Sequence, residues 1–309
     1  MIFPDVDYLN ENFSLSDNEN IILFKKGQGD IPVVEIKNEH ASALISLQGA
    51  HLLSWCPTDE AEVIWVSNDV AYAEGKSVRG GIPICWPWFG AHESNSNFPA
   101  HGFARTVFWD VIDIQQLTMG ETKITFKLNL KQASQNIKAM WPLNTDVEYS
   151  VTIGENLKLE LLTRNNSSQN FKIGEALHTY FNVEDIKNTS VEGLHGKTYL
   201  DKPDNFKPKI QNGLVYINDE VDRVYLNTSD ELSINNAHRK IIINKQGSES
   251  TIVWNPWKQR AEKMADLGED GYLKMLCVEA GNAAENEVNI AAGESHLMQV
   301  MYKVEKIND

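Results

Sequence analysis

The sequence predicts an all-β protein, a large antiparallel β-sandwich with few short helices. Apolar and polar residues alternate with a period of two along much of the chain, which is typical of strands with one buried face. In residues 122–130, for example, Ile124, Phe126, Leu128 and Leu130 fall on one face, and lysine, threonine and asparagine fall on the other. Gly, Asn and Asp separate such runs, and many short strands with little helix indicate a sandwich or barrel.

The same alternation places the strands along the chain. We expect strands at residues 33–37, 43–47, 122–130, 146–153, 157–161, 224–226, 241–244, 251–254, 275–279 and 296–304. Residues 258–267 differ, because their apolar side chains recur at helical spacing. Pro256 suits the start of a helix there and Gly268 suits its end. The sequence therefore predicts one helix between the strands at 251–254 and 275–279.

Size and composition favour one globular domain over residues 1–309. Hydrophobic residues make up 42% and charged residues 23% of the chain, which fits a substantial core, and all-β domains often reach this size as one unit. No repeat or linker divides the sequence. Residues 1–25 are polar at first, and we expect them to pack at an edge or to stay loosely packed.

The charge balance excludes one class of partner. The chain has 28 Lys and Arg residues against 43 Asp and Glu residues, a formal charge of −15, and it has no basic cluster that could neutralise nucleic-acid phosphates. We therefore expect no nucleic-acid partner. An acidic protein that binds an acidic small molecule needs a local cationic pocket, because its overall field repels that ligand.

Three features favour a cytoplasmic protein without a membrane partner. Residues 1–13 have neither the basic start nor the apolar run of a signal peptide, and no run of about 18 apolar residues occurs anywhere. Cys56, Cys85 and Cys277 are an odd number of widely spaced thiols, as expected in a reducing compartment.

The most informative segment is SVRGGIPICWPWFGAHESNSNFPAHGFAR, residues 77–105. Its double glycine allows tight backbone geometry and its three prolines restrict the path of the chain. Arg79 and Arg105 are planar forks that suit a cluster of anionic oxygens, and His101 lies between them. This pattern favours a ligand cradle, and the alternative is an irregular crossover whose tryptophans pack in the core.

Five blocks in the same order resemble one enzyme family. They are residues 77–105, EALHTYF at 175–181, EVDRVYL at 220–226, VWNPW at 253–257 and CVEAGN at 277–282. The chain resembles the hexose-6-phosphate mutarotases, or glucose-6-phosphate 1-epimerases, of the aldose 1-epimerase (galactose mutarotase-like) superfamily, from about residue 30 to its end. The resemblance implies a β-sandwich with a concave sugar-binding face. It also implies an isomerase that interconverts the α and β anomers of hexose 6-phosphates.

Interconverting anomers requires a base for the anomeric hydroxyl and an acid for the ring oxygen. The resemblance implies that Glu279 is the base, His178 the acid, His101 a hydrogen-bond donor near the reacting oxygens, and Asp222 a ligand of sugar hydroxyls. From the residues alone, Glu279 is a strand-end carboxylate in solvent, His178 a hydrogen-bonded core residue and Asp222 a turn residue. The resemblance favours the functional role over the structural one for each of these three residues.

For the other candidate residues, the sequence either leaves the role undecided or indicates a structural role. The tryptophans of the matching blocks could stack on a sugar, although packing in the core is the commoner role; they are Trp86, Trp88, Trp254 and Trp257. Some relatives have Gln where this chain has Ala100, so one sugar contact of those relatives is absent here. The remaining histidines lack comparable context and are assigned structural or surface roles: His40, His51, His92, His195, His238 and His296.

The sequence predicts neither a metal nor an organic cofactor. It has no H-E-x-x-H, no C-x-x-C and no dense acidic cluster, and residues 27–29 lack the third glycine of a dinucleotide site. Anomer interconversion transfers no hydride, so the expected reaction needs no cofactor.

Glucose 6-phosphate is the substrate that we expect, because Arg79 and Arg105 suit its phosphate. Two alternatives stay open: an aldose 1-epimerase acting on unphosphorylated sugar, and a non-catalytic carbohydrate-binding sandwich. A glycosidase would need two carboxylates, and only Glu279 lies in a matching block. We expect a monomer or weak oligomer.

Overall fold

The computed structural model describes residues 4–17, 20–130 and 133–307. Its strands form two large antiparallel sheets and two smaller ones, which confirms the predicted all-β class. The nine-stranded sheet has the order β17-β14-β19-β20-β24-β10-β9-β8-β7. Its strands are β7 (Asp110–Gln116), β8 (Thr122–Leu128), β9 (Thr145–Ile153), β10 (Leu157–Asn165), β14 (Ser190–Glu192), β17 (Val215–Tyr216), β19 (Leu232–Asn235), β20 (Arg239–Gln246) and β24 (Ser295–Lys306).

The second large sheet has the order β16-β15-β18-β21-β22-β12-β6, and β13 also pairs with β22. Its strands are β6 (Ile84–Cys85), β12 (Glu175–Leu177), β13 (Tyr180–Asn182), β15 (Thr198–Asp201), β16 (Lys207–Ile210), β18 (Val221–Leu226), β21 (Ser250–Asn255) and β22 (Met275–Asn282). We call it the site sheet, because the candidate site lies on it.

A five-stranded sheet and a strand pair complete the β-structure. The five-stranded sheet contains β1 (Leu15–Ser16), β2 (Ile21–Lys26), β3 (Pro32–Lys37), β4 (Ala41–Ser46) and β5 (His51–Pro57), in that order. The strand pair joins β11 (Phe171–Ile173) to β23 (Val288–Ile290). The helices are short: α1 (Val6–Phe13), α2 (Gln135–Met140), α3 (Trp257–Ala261) and α4 (Gly271–Lys274). No helix in the described ranges is long and apolar enough to cross a membrane.

One large apolar cluster, the main core, fills the space between the sheets. Strands β8, β9 and β10 contribute alternate side chains to it, including Ile124, Phe126, Val147 and Leu159. Their other faces carry polar side chains joined by ion pairs such as Lys123–Glu160, at 3.2 Å. These strands therefore have one buried face and one face towards solvent. This is why apolar and polar residues alternate clearly in their sequences.

The site sheet is buried on both faces at its centre. Every residue of β21 and of β22 is buried. Along β22, Leu276, Val278 and Ala280 belong to the main core. Met275 and Cys277 belong to a second cluster on the opposite face. Glu279 shares this outer face, because successive residues of a strand point to opposite sides.

The predicted helix at residues 258–267 is wrong in length. Helix α3 ends at Ala261, and beyond it the hydrogen bonds are of the i to i+3 type, for example Met264 N to Ala261 O at 2.9 Å and Leu267 N to Met264 O at 3.1 Å. Ala261 and Leu267 are still buried, in the cluster with Met275 and Cys277. The apolar spacing thus reports burial correctly, although a series of turns, and not a helix, produces it.

The N-terminal segment packs against the rest of the protein over its described part. Leu9 of α1 is 6% exposed and belongs to the main core. The Asn10 amide donates to Phe24 O at 2.8 Å, and its oxygen accepts from Phe24 N at 2.9 Å. The contacts of residues 4–17 therefore agree with the first of the two predicted alternatives, in which the N-terminal segment packs at an edge of the protein. Residues 1–3, 18 and 19 lie outside the described ranges.

Residues 77–105 form a largely irregular crossover that closes on itself, with residues 80–88 buried and residues 91–100 partly or fully exposed. Phe103 N donates to Trp86 O at 3.1 Å and His101 N donates to Gly90 O at 2.7 Å. Gly102 makes this approach possible, because its φ is +70° and a Cβ at that position would lie 1.9 Å from Trp86 O. The loop thereby holds His101 at the outer face of the site sheet.

Candidate active site

A cavity of about 330 Å³ lies on the outer face of the site sheet. Strands β18, β21 and β22, the link between β12 and β13, and the 77–105 crossover all contribute to its lining. Nine charged or titratable side chains line it: Arg79, His101, Arg105, His178, Tyr180, Lys202, Asp222, Arg260 and Glu279. All six predicted site residues are in this set, so the fold brings together every one of them.

The register of β12, β13 and β22 places His178 opposite Glu279. Leu177 pairs with Ala280 on one side of this position, and Tyr180 pairs with Cys277 on the other. Counting inwards from either pair puts His178 across from Glu279. The ladder is open here, because His178 N donates to Pro83 O at 3.0 Å and Thr179 N donates to Leu177 O at 2.8 Å. Directly opposed side chains in an antiparallel pair lie on the same face.

The two functional groups are close and buried but do not form an aligned hydrogen bond. His178 Nδ1 lies 3.3 Å from Glu279 Oε1, and the Glu279 side chain is 1% exposed. His178 Nδ1 and both Glu279 oxygens have no hydrogen-bond partner among the described residues. Buried polar groups without partners are rare in folded proteins. These atoms therefore lack the hydrogen bonds that a ligand in the cavity could supply.

Burial shifts the pKa values of this pair in opposite directions. Desolvation lowers the pKa of His178 well below 6.5, and the positive charges of Arg105, Arg79 and Lys202 add to this effect. Desolvation raises the pKa of Glu279 well above 4.5, although Lys202 and Arg105 oppose this shift. The free site thus favours a neutral imidazole beside a protonated carboxyl. That is the reverse of the ionised base and protonated acid that their reference pKa values would give.

His101 is positioned to donate a hydrogen bond into the cavity. Its Nδ1 accepts from Gly90 N at 3.3 Å, so in the neutral ring the proton is on Nε2. Desolvation, together with Arg105 and Lys202, lowers the pKa of His101 to about 3 and keeps the ring neutral. Its ring centroid lies 5.8 Å from that of His178.

Asp222 is held by a lysine that the sequence analysis did not single out. Lys202 Nζ lies 2.9 Å from Asp222 Oδ1, and it also lies 5.3 Å from the centre of the Phe89 ring. Burial raises the pKa of Asp222, while the charge of Lys202 opposes this shift. Lys202 follows β15, in a Lys-Pro-Asp turn that none of the matching blocks includes. No sequence signal pointed to it, since only the pairing of β15 with β18 brings it to the cavity.

The two predicted arginines reach the cavity with some of their donors in use. Arg79 Nε donates to Asp266 Oδ2 at 3.2 Å, and its Nη1 donates to Tyr180 Oη at 3.2 Å. Arg105 Nη2 donates to Ala100 O at 2.9 Å. A guanidinium has five N–H donors, so each arginine still has donors for a ligand. Their structural partners hold them in fixed positions.

Aromatic residues divide between the cavity and the core. Trp254 lines the cavity, and Tyr180 stacks on His178 with ring centroids 4.8 Å apart and an angle of 9° between the rings. Trp86 and Trp88 are buried and donate to Thr163 Oγ1 and Pro99 O respectively. Trp257 packs on Tyr272, away from the cavity lining. Of the four tryptophans considered from the sequence, Trp254 is the one that lines the cavity.

Two of the remaining histidines are held in specific contacts. His51 is buried with its Nε2 2.8 Å from Gly80 O, and desolvation lowers its pKa to about 4. His296 forms an ion pair with the buried carboxylate of Glu175, with Nε2 and Oε1 2.9 Å apart. Neither residue lines the cavity.

One set of donor atoms in the described ranges could hold a metal ion. Nitrogen, sulfur and oxygen atoms of His178, Cys277 and Glu279 lie within 4.8 Å of one another. These residue types are common ligands of Zn²⁺. The set includes the His178 and Glu279 atoms that have no hydrogen-bond partner among the described residues, so an ion bound there would occupy them.

Comparison with known proteins identifies similar sequences and a similar structure. The profile of the aldose 1-epimerase family matches residues 32–303. A relative from Escherichia coli (strain K12), named "Putative glucose-6-phosphate 1-epimerase", is 34% identical over 281 residues, which are 90% of this chain and 92% of the relative. A Salmonella typhimurium relative of the same name is 33% identical over 298 residues, 95% and 98% of the two chains. The crystal structure of a "putative mutarotase" from Salmonella typhimurium matches with a TM-score of 0.85 and 30% identity, over 98% of this chain and 99% of that one.

The opposed pKa shifts predict opposed pH dependences of stability. An unfolded Glu279 ionises near pH 4.5, whereas the folded carboxyl keeps its proton to higher pH. The free energy of unfolding of the wild type therefore falls as the pH rises above about 4.5, by about 1.4 kcal/mol for each unit of pKa shift. Glu279→Gln removes this loss, so its stability relative to the wild type should increase with rising pH.

His178→Asn should show the opposite slope. An unfolded His178 gains a proton below about pH 6.5, whereas the buried imidazole stays neutral. The stability of His178→Asn relative to the wild type should therefore increase as the pH falls. Urea unfolding between pH 5 and 9 measures both differences. His238→Asn, at a side chain 67% exposed, controls for loss of an imidazole. Curves parallel to that of the wild type would contradict these shifts.

Proposed function

Because this chain belongs to the aldose 1-epimerase family, we propose that it interconverts the α and β anomers of hexose 6-phosphates, with glucose 6-phosphate as its main substrate. The observation that supports the proposal most strongly is the cavity itself. In it His178 and Glu279, which have buried atoms without hydrogen-bond partners, lie beside four cationic side chains. The relatives from Escherichia coli and Salmonella typhimurium carry names for the same activity.

The reaction needs two proton transfers, and the pair can perform both. Glu279 takes the proton of the anomeric hydroxyl while His178 gives a proton to the ring oxygen, and the bond between C1 and the ring oxygen breaks. Rotation about C1–C2 exposes the other face of the aldehyde. The ring closes when the hydroxyl on C5 attacks C1, its proton returns to His178, and Glu279 protonates the former carbonyl oxygen. The pair ends with the proton it began with.

The pKa shifts favour the state of the pair that ring opening produces. Ring opening begins from an ionised Glu279 and a protonated His178, and it leaves both groups neutral. Burial favours the neutral forms of both residues. Lys202 and Arg105 oppose the shift of Glu279. A sugar hydroxyl that donates to the unpaired carboxylate oxygens adds to this opposition and brings Glu279 towards its ionised form.

Two predicted ligands have suitable neighbours for binding the sugar. The Nε2–H of neutral His101 is available as a donor, since its Nδ1 already accepts from Gly90 N. Asp222 is 7% exposed and keeps Oδ2 for a sugar hydroxyl while Oδ1 contacts Lys202. We assign both residues to substrate binding and Trp254 to the apolar face of the sugar.

The cationic side chains distinguish a sugar phosphate from a neutral sugar. Arg79, Arg105, Lys202 and Arg260 line the cavity of a chain whose formal charge is −15. Arg260 is 52% exposed, against 28% for Arg79 and 24% for Lys202. We therefore assign the phosphate to Arg79, Arg105 and Lys202. A site for unphosphorylated sugar does not need this positive charge. A binding protein without turnover does not need a buried His178 and Glu279 whose polar atoms lack hydrogen-bond partners.

A reducing compartment fits the cysteines. All three are free in the described part of the chain, and Cys85 and Cys277 are buried. Their free state favours the predicted cytoplasmic location.

The acid/base assignment predicts large losses of rate with retained binding. Glu279→Gln keeps the shape but removes the charge, and His178→Asn removes the titrating ring. Each should lower anomer exchange by at least about 10², the usual contribution of a positioned acid or base. Magnetisation-exchange NMR on glucose 6-phosphate, with the spontaneous rate subtracted, measures the effect, and His238→Asn is the control. Exchange close to the wild-type rate in either variant would overturn that residue's role.

Chelation tests the expected absence of a metal cofactor. Activity should survive exhaustive treatment with a chelator, because proton transfer by Glu279 and His178 needs no ion. The measurement is the excess exchange rate before and after dialysis against the chelator. A loss that a divalent ion restores would contradict this prediction and point to the set of His178, Cys277 and Glu279.

The phosphate assignment predicts effects on KM. The phosphate does not react, so its contacts are similar in the ground and transition states. Charge-assisted hydrogen bonds contribute roughly 1.5–3 kcal/mol each, so Arg79→Ala or Arg105→Ala should raise KM for glucose 6-phosphate about tenfold or more. Any activity on free glucose should change little.

Asp266→Asn is a matched control for Arg79. It weakens the ion pair with Asp266 and keeps the arginine, so it should leave KM unchanged or lower it. Steady-state kinetics on both sugars decides the assignment. Equal losses on phosphorylated and free glucose would show that these cations are structural and would favour the neutral-sugar alternative.

A further inference from the structure

A second polar cluster lies behind the acid/base pair. Glu175 is fully buried, and its Oε1 accepts from Asn282 Nδ2 at 2.9 Å and contacts His296 Nε2 at 2.9 Å. Asn282 Nδ2 also donates to Gly247 O at 2.7 Å. We call Glu175, Asn282 and His296 the clamp. Its three residues come from β12, β22 and β24, and therefore from both large sheets.

The clamp faces the interior of the sandwich, away from the cavity. Along β22, Asn282 shares the inward face with Val278 and Ala280 of the main core. His296 shares the inward face of β24 with Met298 and Val300. The clamp thus joins the strands that carry the site to the sheet behind them.

The clamp fixes the same strand pairing that opposes the catalytic groups. Glu175 is the register partner of Asn282, and Leu177 is the partner of Ala280. His178 and Glu279 are the next position in this register, three residues from the clamp on each strand. Strand β12 has three residues, and its ladder opens immediately after Leu177. Three residue pairs on each side of this open position hold the register, and the clamp is a side-chain contact at the β12 end of it.

Stability is a poor explanation for the clamp. Glu175 Oε2 is buried without a hydrogen-bond partner among the described residues. Buried ion pairs are often no more stable than apolar replacements, and their best-attested use is to specify one register or arrangement.

We propose that Glu175 and His296 are positioning residues that hold His178 opposite Glu279 by clamping β12 and β22 to β24. The proposal rests on the proposed function for its kinetic part. The clamp touches neither the cavity nor the substrate. Its loss should displace the acid and the base relative to each other and leave the sugar-binding side chains in place. Small displacements of reacting groups are costly in rate, up to about 10²-fold for 1 Å.

The kinetic test separates positioning from binding. Glu175→Ala and His296→Ala should each lower kcat for glucose 6-phosphate anomer exchange about tenfold or more, with KM changed less than about threefold. Glu175→Gln keeps an oxygen that can accept from Asn282 Nδ2 and from a His296 Nε2–H, so it should recover most of kcat. An unchanged kcat, a loss confined to KM, or a Glu175→Gln variant as slow as Glu175→Ala would each overturn the proposal.

Asn38→Ala is the matched control for lost stability. Asn38 is 3% exposed, and its amide links the five-stranded sheet to Thr122 Oγ1 at 3.1 Å and Ile153 O at 2.9 Å. This variant also loses buried hydrogen bonds between sheets, but it should keep kcat. If it lost kcat as Glu175→Ala does, a general loosening of the fold would explain both. If Glu175→Ala does not fold, His296→Ala provides the same test from the partly exposed side of the pair.

A second readout does not depend on activity. The ring resonances of His178, assigned by their absence in His178→Asn, should shift or broaden in Glu175→Ala and stay unchanged in Asn38→Ala. Unchanged resonances in Glu175→Ala would overturn the positioning role. Absence of wild-type exchange above the spontaneous rate would instead reject the proposed function, and the resonances would still decide the role of the clamp.

Discussion

The antiparallel register between β22 and the strands β12 and β13 is the constraint on which the site depends. It makes residues distant in sequence direct neighbours and puts the imidazole of His178 3.3 Å from the carboxylate of Glu279. A slip of one residue would turn either side chain to the opposite face, into the core between the sheets. Pairing on both sides of the open position keeps this register, and the main core beneath β22 holds the strand in its orientation.

Burial shifts the pKa values of His178 and Glu279, and it also lowers the stability of the fold. In water the glutamate would be ionised at neutral pH and the histidine would gain its proton only below about pH 6.5, but in the site burial favours the neutral form of each. A pair that shares one proton can pass between ionic and neutral forms without changing its total charge. Polar groups kept unpaired in the core cost stability in a folded protein, and such costs are typical of catalytic sites.

The sequence predicted the parts of the fold that depend on local pattern. Strands such as β8 and β9 were recognised because one face is buried and the other is wet. The helix at 258–267 was wrong because its apolar spacing reflects turns that bury Ala261 and Leu267. The site residues in the matching blocks were predicted from the resemblance, because no local rule distinguishes a proposed base such as Glu279 from any other strand-end glutamate. Lys202, and the pairing of Glu175 with His296, depend on contacts between distant strands, and no local pattern contains that information.

In the proposed mechanism, substrate binding and proton transfer depend on different interactions within the cavity. The largest cause of the pKa shifts of His178 and Glu279 is desolvation, and the cationic side chains contribute less. A bound phosphate neutralises part of the charge of Arg79, Arg105 and Lys202, so it changes the smaller contribution and leaves the larger one in place. In the proposed function, recognition of the phosphate by the cations and proton transfer by His178 and Glu279 are therefore separate properties of the cavity.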